Sequence, residues 1–343
     1  GNTPFETPTF SLDGDATNWS ADDLAFVQQV WKAVAEDFAP FQVDVTTQDP
    51  GLNAIIRSDS SDQNYGTQVH ITNHTSWSPG CGCGGVAGVG IFDAIGFTSE
   101  KAWVFTDGTG SNSIFTALAA SHEAGHTLGL LHQGTKIGSK TENYAGGWVP
   151  WGPIMGAPYY MAVTQWSNSD YKSAYVSGSG TGKQDDLSII PQHGAALKTD
   201  DYADNIKGAY NISANGNSAD GLISTRTDSD FFAVQVSGAS VSVAAMPSEL
   251  MPNLDLSLTL YNSSGKILAS SNPLTYYGGA AKSALGMGAA VQAKVTPGTY
   301  YVRVDGAGQG SMSVYGSYSD YDSLGPYHIP VSYTHLTLPT ILL

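Results

Sequence analysis

Three histidines, a glutamate and two glycines fall within residues 121–132, SHEAGHTLGLLH, of a chain in which only 13% of residues are charged. On a helix, His122 and His126 stand one turn apart and project on the same side. Their imidazoles can therefore reach one ion at Zn–N distances of about 2.0–2.1 Å. His132 lies further on, and a continuing helix would carry it to another face. Gly129 removes that obstacle, because glycine takes the left-handed conformation that ends a helix and turns the chain back. Three neutral nitrogen ligands leave a fourth position open, as in catalytic rather than structural zinc sites. Glu123 sits beside the first ligand without needing to bind the ion. It can take a proton from an activated water and pass it to a leaving amine.

The elements that must position these residues follow from periodicity. The motif belongs to a helix expected over about 113–128. A second helix is expected over 20–38, capped by Ser20 and Asp23, with Leu24, Val27, Trp31, Val34 and Phe38 at helical spacing and Pro40 ending it. Between them lie short strand candidates at 41–46, 53–57, 68–72, 85–92 and 101–106. Together these predict an α/β (α+β) layer. Residues 133–195, rich in Gly, Pro, Trp and Tyr, read as loop. KTDDYADN, residues 198–205, reads as a linker. Beyond it the pattern has period two, at 231–236, 240–245, 254–261, 289–295, 299–304 and 311–318, with turns at NSSG and TPGT. That predicts an all-β sandwich. Each half has apolar residues for its own core, so the first is expected to work without the second.

With 343 residues and 41% apolar content, two domains are the expectation, and no apolar run is long enough to span a membrane. The balance of 14 basic against 30 acidic residues, net charge −16, argues against nucleic acid or an anionic membrane as partner. A protein or peptide substrate and a monomeric, secreted protein are expected. The start of the sequence shows neither a basic n-region nor an apolar h-region, so any signal peptide is expected to lie outside it. The stretch SYTHLTLPTILL, 332–343, fits no element and reads as a non-native tail. The expected division is thus 1–197, linker 198–205, 206–331, and tail.

His122, Glu123, His126, Gly129 and His132 together resemble the HExxHxxGxxH signature of the metzincin clan of zinc metallopeptidases. That resemblance implies a methionine turn beneath the metal, and PIMGAPYY at 153–160 supplies Met155 in the matching place. Some metzincins carry a tyrosine two residues after this methionine; here Ala157 stands there, and Tyr159 and Tyr160 follow. Either tyrosine could hydrogen-bond a tetrahedral intermediate or contact substrate, with packing as the alternative. VWKAVAEDFAPFQVDVTTQDPG and TQWSNSDY look like bacterial secreted metzincins with a C-terminal pre-peptidase domain. Residues from about 204 to 331 resemble that domain, a jelly-roll-like sandwich, at DSDFFAVQVSG, NLDLSLTLYNSSGKILASS and PGTYYVRVDGAG. The family's usual first strand is missing from residues 1–19, so N-terminal truncation is expected. The resemblance implies a secreted zinc endopeptidase. The competing reading is a matrix- or glycan-binding protein with an inactive zincin domain.

Weaker signals remain. Cys81 and Cys83 could be joined across Gly82 or stay as thiols. The carboxylates of Asp13–Asp23 could bind calcium but lack the full loop pattern, which favours a helix-capping segment. His70, His74 and His193 read as structural or exposed. QDDLSII at 184–190 pairs two carboxylates without a partner for acid–base work.

Overall fold

The computed structural model describes residue 7 and residues 9–15, 17–73, 82–96, 102–215, 218–277 and 284–332. Helix α1 (Ala21–Asp37) begins at Ser20 with a complete capping box. The Ser20 hydroxyl accepts the Asp23 N–H at 3.1 Å, and the Asp23 carboxylate accepts the Ser20 N–H at 2.8 Å, satisfying amides that the first turn cannot pair. The buried face differs from the expected one. Phe26, Val30 and Ala33 face inward, while Leu24 and Trp31 are 47% and 39% exposed. Both stripes have helical spacing, and the neighbours decide between them. Phe10 stacks on Phe26 at 4.6 Å, and Ala117 of the second helix joins the same cluster.

Helix α2 (Ser113–Thr127) is capped by the Asn112 side chain, which accepts the Phe115 N–H at 3.0 Å. It is buried from Thr116 to Thr127, as expected of a helix with alanine on several faces enclosed by other elements. It packs on α1 and on a three-stranded sheet. That sheet is formed by β1 (Val69–Thr72), β2 (Gly85–Ala87) and β3 (Ala102–Phe105) in the order β1–β3–β2, with β1 parallel and β2 antiparallel to β3.

Four expectations fail in this half. Phe41 makes only an isolated bridge to Leu197, and residues 52–54 form a 3-10 turn in place of a strand. The strand from Gly85 stops at Ala87, because the Gly90 and Phe92 amides donate to His126 O and Thr127 O at the end of α2. The region 133–195 is not simply loop. It holds β4 (Gln133–Ile137), β5 (Lys140–Glu142), β6 (Trp151–Pro153), β7 (Val163–Gln165), β8 (Ala174–Val176) and α3 (Asp186–Gln192). These strands are too short to print a period in the sequence. β4 pairs with β5 and β8, and β6 runs parallel to β7.

The C-terminal half is all β. Its strands are β9 (Tyr210–Asn211), β10 (Ser218–Ile223), β11 (Ser229–Val236), β12 (Ser240–Pro247), β13 (Leu256–Tyr261), β14 (Ile267–Ser271), β15 (Tyr276–Tyr277), β16 (Ala284–Leu285), β17 (Ala289–Lys294), β18 (Gly298–Gly306) and β19 (Gly325–Ser332). A sheet ordered β10–β19–β12–β17 faces one ordered β14–β13–β18–β11–β9. Ile223, Val241, Val243 and Ile329 of the first share a core with Phe232, Leu256, Leu258 and Val302 of the second. The expected strand at 311–318 is absent; that stretch turns, with one bridge between Gln309 and Tyr318. β9, β10, β14, β15, β16 and β19 were not foreseen. Pro326 and Pro330 argue against a strand between two neighbours, yet β19 lies between β10 and β12. β19 includes Ser332, the first residue of the expected tail, and residues 333–343 lie outside the described residues.

The join between the halves is more than a linker. Lys198 N–H donates back to Pro40 O at 2.7 Å, and the Asp201 and Asp204 carboxylates accept the Leu222 and Ser229 amides. Leu250 and Met251 pack against the Phe26 cluster, and Leu187 touches both main cores. No helix among the described residues is long and apolar enough to cross a membrane.

This acidic chain buries carboxyl groups. Burial pushes Glu36 and Asp230 up to about 8, and Asp37 and Asp186 up to about 7. A carboxyl whose folded pKa is raised binds its proton more tightly folded than unfolded, so its stabilisation is lost as pH rises through the folded value. Below about pH 6.5 buried His122, lowered to about 3, and half-buried His132, lowered to about 4, act in the opposite direction, since a lowered folded pKa favours the folded state as pH rises. The clean window therefore lies above. Thermal unfolding of chelator-treated protein is expected to show a lower midpoint at pH 8.5 than at pH 6.5; a flat or rising midpoint would contradict this.

Candidate functional site

Helix α2 carries His122, Glu123 and His126 on its last turns, and its ending places His132. Gly129 has φ +89°. Its amide donates to His126 O at 2.9 Å, and the Leu130 amide donates to Gly125 O at 3.1 Å, the paired bonds of a glycine-closed helix terminus. The chain reverses there, and the ring of His132 returns to 4.6 Å from that of His126 and 5.2 Å from that of His122. One ring nitrogen from each histidine lies within 4.8 Å of the other two.

The backbone sets the proton on two of the three rings. His122 Nδ1 is 2.9 Å from Ile154 O, and His126 Nδ1 is 2.7 Å from Leu130 O. A carbonyl oxygen only accepts, so each Nδ1 carries the proton and each Nε2 presents a lone pair. His126 Nε2 lies 2.9 Å from His132 Nε2. Burial, reinforced by neighbouring histidines, lowers His122 to about 3 and His132 to about 4, and burial also lowers His126. The rings are thus neutral at physiological pH, the state a metal requires. Burial pushes Glu123 up to about 8, and its Oε2 has no hydrogen-bond partner among the described residues. The donor set fits a zinc ion: three neutral ring nitrogens within 4.8 Å of one another, two with the outer nitrogen bonded to a backbone carbonyl, and beside them a Glu123 oxygen without a partner among the described residues.

Met155, fully buried, lies against α2 at Gly125, between the two helical histidines. A Cβ at Gly125 would come within 2.7 Å of Met155 Sδ and 3.1 Å of Trp166 Cζ3, so glycine there permits the close approach. Tyr159 faces the site. Burial, then the charge on Glu123, raises its phenol pKa. Tyr160 is 64% exposed and packs edge-on against Phe115.

Sequence reasoning missed two kinds of residue. Tyr144 covers the histidines, with its ring 4.1 Å from that of His132, and nothing in its local sequence marks it. Gln184 and Gln133 brace His132 from both sides. Gln184 accepts the Leu131 amide at 2.8 Å and donates to Leu131 O at 3.1 Å; the Gln133 amide donates to Met155 O at 2.8 Å, and its side chain donates to Asp186. The QDDLSII stretch therefore braces the segment that carries His132.

The edge strand β2 reaches the site through two glycines. A Cβ on Gly84 would come within 2.7 Å of Tyr159 Oη, and one on Gly85 within 2.6 Å of Glu123 Cγ. Cys83, just before them, is disulfide-bonded; Cys81, the other cysteine of the chain, lies outside the described residues. His193 sits on the far side of Gly129 and pairs with Asp93 at 3.2 Å. His70 stacks on Trp103 at 4.6 Å, and His74 lies outside the described residues. Around Asp13–Asp23, Asp15 accepts from Thr17 and Asp23 caps α1. Carboxylates converge elsewhere, with Asp200 near Asp204 and Asp228 and also near Asp201 and Asp230.

No family model matches the chain, and no curated protein matches it. Among solved structures it is similar to the pre-peptidase C-terminal domain of a collagenase from Bacillus anthracis, at 15% identity and TM-score 0.22, covering 34% of this chain and 89% of that one. It is also similar to a periplasmic inhibitor of g-type lysozyme from Aeromonas hydrophila, at 13% identity and TM-score 0.20, covering 38% and 91%. Likenesses this slight carry no argument, and the all-β character of the C-terminal half rests on its own strands.

Gly129 gives the site its most direct backbone test. At φ +89° a Cβ is strained, and it would also lie 2.4 Å from His193 Nε2. The left-handed conformation alone costs a non-glycine residue roughly 1–2 kcal/mol. Gly129→Ala is expected to lose at least that much in urea unfolding and to weaken zinc binding, because the turn delivers His132. A loss below about 0.5 kcal/mol, the range of neutral surface changes, would show that the turn does not depend on glycine.

Proposed function

We propose that this chain is a secreted, zinc-dependent endopeptidase of metzincin type. The observation that carries this reading is the convergence of two buried imidazoles and a half-buried third within 4.8 Å of one another beside Glu123, whose Oε2 has no partner among the described residues. His122, His126 and His132 would hold the ion. When bound, zinc supplies Lewis acidity: it polarises the scissile carbonyl and lowers the pKa of water.

The chain's own residues supply the rest. Glu123 is adjacent to the ligands, and a carboxylate with one free oxygen can take the proton of the attacking water and return it to the departing amine. Its burial raises its proton affinity toward that task, because an efficient acid–base group has a pKa near the working pH. Tyr159 faces the same space and can donate to the developing oxyanion. Among the described residues β2 pairs only with β3, which supports a substrate held extended along its outer edge. Gly84 and Gly85 keep that edge close to Glu123. The disulfide-bonded Cys83 supports an oxidising, extracellular setting. The C-terminal half, with two facing sheets, agrees with a pre-peptidase-type sandwich of jelly-roll character.

Glu123→Ala separates binding from turnover. All three nitrogens remain and alanine is the best helix former, so zinc content should stay near that of the parent. Peptide cleavage should fall by at least the 10²–10⁴-fold, about 3–5 kcal/mol, typical of general acid–base catalysis. His132→Ala should lose zinc as well as activity. Mass-spectrometric mapping of cuts in a diverse peptide mixture, with and without chelator, reads the outcome. Zinc-loaded parent protein that makes no cuts, or a zinc-loaded Glu123→Ala that cleaves within tenfold of the parent, would overturn the proposal.

A further inference from the structure

The C-terminal half reaches the histidine site through an unbroken series of buried hydrogen bonds. His122 Nδ1 donates to Ile154 O at 2.9 Å, and the Ile154 amide donates to Gln165 O at 2.9 Å. Gln165 Nε2 donates to two carbonyls of the C-terminal half, Asn253 O at 2.5 Å and Asp322 O at 2.9 Å. The next amide, Trp166 N–H, donates to Asp322 Oδ2 at 2.6 Å.

A second route reaches the same helix from its other neighbour. Asn253 Nδ2 donates to Asp37 Oδ1 at 3.1 Å, and Asp37 Oδ2 accepts the hydroxyl of Ser121, the residue before His122, at 2.5 Å. The Trp166 indole N–H closes the loop on Asp37 O at 2.7 Å. Gln165, Trp166, Asn253, Asp322, Asp37 and Ser121 are each at most 2% exposed. Water cannot replace a partner lost at that depth, so every group in the loop is confined to one arrangement.

We infer that Asn253 and Asp322, from the C-terminal half, are positioning residues for the metal centre: they hold Gln165 and Trp166, and through them the Ile154 carbonyl that orients His122. This rests on the metal-site reading above. It revises the expectation that the first half works alone. The sandwich is part of the frame that sets a ligand, and Met155 and Trp166, both packed at Gly125, are braced from the same side. Partners that orient a ligating histidine are worth about 10–100-fold in metal affinity.

A connected path is not by itself coupling, so the test compares substitutions on and off it in the full chain. Gln165→Met removes the donor to both carbonyls, and Asp322→Ala removes the Trp166 acceptor. Asp322→Asn keeps an oxygen that can accept. Tyr321→Phe removes hydrogen bonds from the same interface, to the Leu187 amide at 2.7 Å and the Asp185 carboxylate at 2.6 Å, away from the path. Zinc affinity is read by competition with a chromophoric chelator. The His122 tautomer is read by nitrogen NMR of the metal-free protein.

Gln165→Met and Asp322→Ala should weaken zinc binding about 10–100-fold and mix the His122 tautomers. Asp322→Asn should stay within a few-fold of the parent, judged against that same scale, and Tyr321→Phe should change neither readout. Unchanged affinity and tautomer in folded Gln165→Met, or an equal loss in Tyr321→Phe, would overturn the inference. If Asp322→Ala does not fold, Gln165→Met decides alone. A parent that binds no zinc sinks the metal reading instead, and the tautomer comparison still judges the positioning.

Discussion

The site depends on where two ring protons go. A histidine can offer Nε2 to an ion only if Nδ1 holds the proton, and here backbone carbonyls at Ile154 and Leu130 fix that choice for His122 and His126. Each carbonyl must then be delivered to the right place. Leu130 O is delivered by the glycine-closed end of α2, within a few residues of the ring it orients. Ile154 O comes from a different segment and is held by the pairing of β6 with β7. The local bond follows from the helix and its stop; the distant one needs the remainder of the molecule.

Small residues make this delivery feasible. Gly125 lets Met155 and Trp166 press against the helix between His122 and His126, and Gly84 and Gly85 let β2 approach Tyr159 and Glu123. Alanines on α2 let α1 and the sheet close around it. Close approach excludes water, and its exclusion lowers the histidines' affinity for protons while raising that of Glu123. One physical cause, burial, therefore acts on opposite groups in the same sense, toward neutral imidazoles and a protonated Glu123.

Burial of polar groups also joins the halves. Carboxyls from α1, from the start of α3 and from the C-terminal half are enclosed, and their proton affinities rise accordingly. Such groups cost free energy unless paired, and these carboxyls are paired with amides or hydroxyls. An interface of this kind tolerates little displacement, because each shift leaves a buried donor or acceptor unmatched. The acidic linker is likewise pinned to the strands that follow it by Asp201 and Asp204.

The chemistry-bearing residues were legible because their relations are local. His122, Glu123, His126, Gly129 and His132 lie within one helix and its stop, where 3.6-residue periodicity and the conformational freedom of glycine convert spacing directly into geometry. The α1 cap and the long C-terminal strands β11, β12, β13, β17 and β18 were legible for the same reason, since caps and alternation act over a few residues. Contacts between distant segments decided what spacing left open. Two stripes of α1 had equal periodicity, and Phe10 and α2 chose between them. β4 to β8 are too short to show a period, and β19 carries two prolines; neighbouring strands specify them. Tyr144, Gln184 and Asn253 carry no local signature, because what each one does depends on partners that only the folded chain brings within reach.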